Sequence, residues 1–147
     1  MKHGSTWKTA GLFFSIFTVC VLLSGMISAA EPLATTTFEI QSVKGGFGKV
    51  ECIVKNTGNQ TAKNITLNIT VTGGILGRIN ITKTCTGCSN CGPDIAAGTT
   101  RTESTKETGT IFGFGSIDIL VTAKAENAPK VSTTKTGFVL GFFVIVN

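Results

Sequence analysis

The chain of 147 residues has little of the chemistry that works near neutral pH. Its one His and one Trp are His3 and Trp7, and it has no Tyr. Beyond residue 30, therefore, no side chain titrates near neutrality by default, which excludes Ser-His-Asp and Cys-His nucleophilic arrangements there. Two of the usual sugar- and base-stacking side chains are missing as well. Charged residues make up only 14% of the chain, and the carboxylates offer no catalytic pair. Asp94 stands in a loop beside Pro93 and Asp118 on an outward strand position, whereas glycoside hydrolysis needs two carboxylates across a cleft. The glycine-rich Phe112-Gly113-Phe114-Gly115 has no following Lys and no helix, so a phosphate-binding loop is not indicated. Close backbone packing or a turn accounts for it. The expectation is a protein without catalysis and without a cofactor.

What is present begins with a leader. Lys2, His3 and Lys8 precede an uncharged, apolar run from Thr9 to Ala30, which ends in Ser28-Ala29-Ala30 before Glu31-Pro32. A basic start, an apolar middle and small residues at the end are the order of a secretory signal peptide over residues 1–30. The run exceeds the roughly 18 residues that span a bilayer, so an uncleaved signal anchor is the alternative. Cys20 follows Phe17, Thr18 and Val19 rather than a small residue, which excludes a lipoprotein. Either way the remainder is exported, to the extracellular cell surface or beyond. Residues 31–147 are expected to form one domain, long enough to bury a single core. Without Lys2 and Lys8 the net charge falls from +5 to +3, and the basic residues form no stripe. The balance serves solubility, not nucleic-acid binding.

Thr, Gly, Val and Ile dominate this part, and prolines are few. Ile65, Leu67, Ile69 and Val71 alternate with Thr66, Asn68, Thr70 and Thr72. Val50, Cys52 and Val54 alternate with Glu51 and Lys55; Ile117, Ile119, Val121 and Ala123 alternate with Asp118, Thr122 and Lys124. Each reads as a strand with one buried and one wet face. Turn signals separate about seven strands, near 36–43, 48–55, 64–72, 77–84, 98–106, 116–125 and 130–146. Short strands at this spacing argue for an antiparallel all-β sandwich.

The segment NTGNQTAKNITLNITVTGGILG, Asn56 to Gly77, resembles the stretch between the second and third strands of immunoglobulin-like, cell-adhesion-related (CARDB-like) surface domains. Asp94 to Thr100, Gly109 to Gly115 and Thr136 to Gly141 resemble small secreted archaeal members of that group. The resemblance covers most of the chain from Phe38 onward. It implies an immunoglobulin-like fold and an adhesive or structural role at the cell surface, and it supplies no functional residue. The three cysteines in Cys85-Thr-Gly-Cys88-Ser-Asn-Cys91 depart from it.

With Cys20 in the leader, Cys52, Cys85, Cys88 and Cys91 remain. In an oxidising compartment an even set implies two disulfides, and the expectation is that Cys52 ties its strand to the cysteine loop. The same four thiolates would also suit tetrahedral zinc or an iron–sulfur cluster, so a cell-envelope metal or redox protein is the alternative function. Four sequons, at Asn59, Asn64, Asn68 and Asn80, are glycosylation candidates. Asn68 falls on the wet face of its strand, Asn64 at its start and Asn59 in the preceding turn.

Gly137 to Val146 reads GFVLGFFVIV without a charge. Ten apolar residues are too few to span a membrane as a helix, and Val, Ile and Phe favour a strand. As one strand, Phe138, Leu140, Phe142 and Val144 would face one way and Val139, Phe143 and Ile145 the other. A sandwich core covers only one of these faces. Val139, Phe143 and Ile145 are therefore the expected interface, covered by a second copy or another envelope protein. A bulge at Gly141 or a covering loop is the alternative.

Overall fold

Alternation in the sequence becomes a two-layer core. A computed structural model describes residues 35–86 and 92–147; the expected signal peptide, Cys20, Cys88 and Cys91 lie outside the described residues. Eight strands follow one another: β1 (Phe38–Gly45), β2 (Val50–Asn56), β3 (Thr66–Gly73), β4 (Ile79–Thr86), β5 (Thr100–Ser104), β6 (Gly113–Ala125), β7 (Ala128–Gly141) and β8 (Phe143–Val146). They form two antiparallel sheets, one ordered β1-β2-β5 and the other β4-β3-β6-β7-β8. Among the described residues the only helical pieces are single 3-10 turns at Ile75–Gly77 and Thr105–Glu107.

The core lies where the inward faces meet. Val50, Cys52 and Val54 come from β2; Leu67, Ile69 and Val71 from β3; Ile117, Ile119 and Val121 from β6. Each is at most 2% exposed. Closing such a Val, Leu or Ile from water contributes roughly 1.5–3 kcal/mol, which makes this set the main stabilising term. Thr66, Thr70 and Thr72 fill three of the outward positions of β3, with Asn68 the fourth; a β-branched side chain suits the pleated surface whether or not it is buried.

The expected final strand near 130–146 is two strands. Gly141 has φ 64 and Phe142 follows it in a two-residue turn, so β8 folds back on β7 with Leu140 opposite Phe143. A glycine with positive φ at the first turn position is the type II′ pattern, whose twist matches that of a hairpin. This makes eight strands among the described residues, where about seven were expected.

The edge of β8 is stitched to the turn between β1 and β2. The Val144 amide donates to the Gly46 carbonyl at 3.0 Å, and the Gly48 amide donates to the Phe142 carbonyl at 2.6 Å. Gly45 permits this approach, since a Cβ there would collide with the Val144 carbonyl oxygen.

The two ends of the sandwich differ in chemistry. At one end lie the β2–β3 link, the segment before β5 and the β6–β7 turn, which are polar. The fully buried Asn56 organises them: its Nδ2 donates to the carbonyls of Gln60 (2.7 Å) and Ile95 (3.0 Å), and its Oδ1 accepts from the Gly58 amide (3.0 Å). At the other end lie the β1–β2 turn, the 3-10 turn Ile75–Gly77, the approach to β6 and the β7–β8 turn. These carry Phe47, Ile75, Leu76, Phe112 and Phe142, all exposed.

Candidate interaction surface

Phenylalanine normally closes a core; here it leaves one. Of the seven phenylalanines among the described residues only Phe38 is buried, and the other six are 42–63% exposed. Pairing across β6, β7 and β8 builds their arrangement. Phe114 stands opposite Leu140, which stands opposite Phe143, so these three form one row across the sheet. The next row is Ser116, Phe138 and Ile145. At the tip, Phe47 stacks on Phe142 with centroids 5.3 Å apart and meets Phe143 edge-on at 5.6 Å. Phe112 lies 4.6 Å from Phe142 and 6.4 Å from Phe114. The result is one contiguous apolar surface.

Beside it runs a groove of about 470 Å³, lined by Ile75, Leu76, Ile79, Phe112 and Phe114, with Arg78 as its charged side chain. Leu76 stands at its lip, 84% exposed and with φ 59. Left-handed backbone costs a residue with a Cβ about 1 kcal/mol or more, so this leucine is both strained and wet.

Of the three residues expected to form the interface, Phe143 and Ile145 are exposed and Val139 is not: it is fully buried. The reason is the hairpin. In a two-residue turn an even-numbered residue pairs with an odd-numbered one, so the faces exchange parity at Gly141. Val139 pairs with Val144 and both point inward; Phe138 pairs with Ile145 and Leu140 with Phe143, all outward. Phe138, Leu140 and Phe142, assigned to the opposite face in a single strand, thus join the exposed surface. Sequence reasoning passed over Phe47, Phe112, Phe114, Ile75 and Leu76. Phenylalanines set between glycines, as in Gly46-Phe47-Gly48 and Gly113-Phe114-Gly115, were the available signal, because a turn cannot hide a ring as an alternating strand can.

The cysteines are brought together only in part. Cys52 is a free, buried thiol, so the expected bridge from its strand to the cysteine loop is corrected. It occupies an inward position of β2, opposite Glu103 of β5. Burial, aided by the charge of Glu103, pushes its thiol up to about 11, which leaves it unreactive at neutral pH. No disulfide joins two described residues; Cys85 is disulfide-bonded, and its Sγ lies 3.3 Å from Glu103 Oε1. A sulfur held in a disulfide is not a thiolate ligand, so Cys85 in this state does not serve the alternative reading.

Glu103 and its neighbour Arg101 are both inward on the short strand β5. The Arg101 guanidinium donates to the carbonyls of Gly92 (2.7 Å) and Asp94 (3.0 Å). Burial raises the Glu103 carboxyl above its usual range, opposed by the charges of Arg101 and Lys83. Asp94 is held low by the hydrogen bond from Lys63 and by the Asn64 amide. Glu103 reaches from β5 to Cys85 of β4, while Asp94 ties the segment before β5 to the β2–β3 link.

The sequons differ in presentation. Asn59, Asn64 and Asn80 are exposed, while Asn68 is half-buried with its Oδ1 hidden. The Asn59 Oδ1 accepts from the Thr35 amide at 2.7 Å.

No protein-family model matches the chain, and no curated protein matches it. Among solved structures the chain is similar to one described as an ApaA protein of Bordetella pertussis, at 14% identity and a TM-score of 0.41, over 78% of this chain and 97% of that one. A likeness at that level carries no argument about function.

Proposed function

We propose that the chain is an exported, non-catalytic cell-surface protein whose domain is an immunoglobulin-like β-sandwich with a structural or adhesive role, and that its apolar end is the face that docks. The observation that carries this is the placement of ten of the eleven exposed large apolar side chains of the described residues on that end and the adjoining rows of β6–β8. A typical monomer exposes a largest apolar patch of about 300–600 Å². Six half-exposed phenylalanines, at about 150–250 Å² each, with Ile75, Leu76, Leu140 and Ile145, offer on the order of 1,000 Å².

The strand order supports the immunoglobulin-like reading. β1-β2-β5 corresponds to strands A, B and E of that fold and β3-β6-β7 to C, F and G, with the fourth strand pairing on the C side. The basic, apolar and small-residue sequence of the leader supports export, and the exposure of Asn64 and Asn80 makes them the best-presented glycosylation positions. The partners are self or other envelope proteins.

The test is retention. The full chain and a variant carrying Phe47→Ser, Phe112→Ser and Phe143→Ser are expressed with the leader in an exporting host, and the share held on the envelope is measured. The variant should be exported equally and released into the medium. Equal retention of both would overturn the docking role of this end.

A further inference from the structure

We infer that the occupant of the apolar end is a second copy of the same chain, docked through that end and the adjoining rows of β6–β8 in a closed two-fold dimer in which each Leu76 enters the groove of the other copy. This deepens the docking reading and rests on it.

Three observations converge. The first is area. On the order of 1,000 Å² of apolar surface exceeds the share of about 800 Å² that one partner contributes to a stable interface of standard size. The second is uniqueness. Of the exposed large apolar side chains among the described residues, only Leu120 lies away from this end and its adjoining rows. A head-to-tail contact joins two different surfaces and needs a second apolar patch to receive the first. Two copies can satisfy this surface only by placing it against itself, and a self-complementary contact closes at two. The third is shape. A protruding Leu76 beside a groove formed with Phe112 and Phe114 is a knob next to a hole. In a two-fold contact residue i meets residue j while j meets i, so one such pair serves both copies.

A lipid surface is the competing occupant, and the vesicle measurement below separates it from a second copy. β1 begins at Phe38, opposite Asn56 at the polar end, and reaches the apolar end only after Gly45. Its eight residues rise about 3.3 Å each, so the leader-side end of the domain stands about 25 Å from the docking face. In the dimer the two Thr35 ends lie away from the contact.

Leu76→Gly is the decisive variant. Glycine accepts the left-handed backbone without strain, so dilute monomer should melt close to the wild-type temperature. Losing two docked leucines, one from each copy, should weaken dimerisation roughly hundredfold to ten-thousandfold. The full chain, expressed with its leader and purified from the exporting host, is measured by sedimentation across concentration. The wild type should reach two copies and stop, with Leu76→Gly and Phe112→Ser shifted toward monomer. Wild type that stays monomeric at about 100 µM, or grows without limit, would overturn the inference. So would binding of monomer to phosphatidylglycerol–phosphatidylcholine vesicles that Phe112→Ser abolishes. Monomeric wild type still retained on the envelope through Phe47, Phe112 and Phe143 would sink the dimer and leave the docking role standing.

Discussion

Val139 faces Val144 across the Gly141–Phe142 turn, and both side chains are closed into the core. One residue away in either strand the chain is wet: Phe143 is 62% exposed and Leu140 55%. This pair separates packed positions from exposed ones within four residues of sequence.

Val139→Thr buries a hydroxyl among apolar side chains and should lower stability by about 1–3 kcal/mol. Phe143→Thr removes an exposed ring and its edge contact with Phe47, and should cost about 1 kcal/mol or less. Urea unfolding of the two variants checks the order. Equal losses would mean that Phe143 is packed as firmly as Val139.

Asn56→Ala should be among the most damaging single polar substitutions. It strands the Gly58 amide and removes donors from two carbonyls at a fully buried position, for an expected loss of about 2–4 kcal/mol. Thermal unfolding measures it. A loss below about 1 kcal/mol would show that water replaces the side chain.

Much of this was legible beforehand. Alternation in β2, β3 and β6 names their buried residues correctly, because one face of each strand meets the opposing sheet and the other meets water. It also placed Cys52 inward, where a thiol packs as a small apolar side chain. The C-terminal run was not legible in the same way, because a two-residue turn exchanges the parity of the faces and an all-apolar run shows no alternation to reveal it. Nor could local pattern bring Phe47, Phe112 and Phe142 together. Three turns remote in sequence share one end only because the sheets run antiparallel.

Glu103 gives stability a pH dependence. Its folded carboxyl sits above the ordinary value of 4.5 because burial disfavours the charge. The folded state therefore holds the proton more tightly than the unfolded one. The stabilisation is full below the unfolded value and is lost as pH rises through the folded one. Glu103→Gln should gain in melting temperature relative to wild type as pH increases from about 4 to 7. A difference that is flat or shrinks over that range would contradict the burial.

Cys52 should be silent in the native protein. With its thiol pushed up to about 11 and its side chain buried, iodoacetamide at pH 8 should leave it unmodified until the domain unfolds in denaturant. Peptide mass spectrometry reads the site directly. Rapid native labelling would mean that the strand opens locally.

The central claim is that the apolar end is covered in the working protein. Photo-crosslinking in intact exporting cells tests it most directly, with benzoylphenylalanine placed at Phe112 on that end or at the exposed Thr134 on the wet face of β7. Position 112 should give a discrete crosslinked product and position 134 none. No product at 112, or equal products from both, would contradict it.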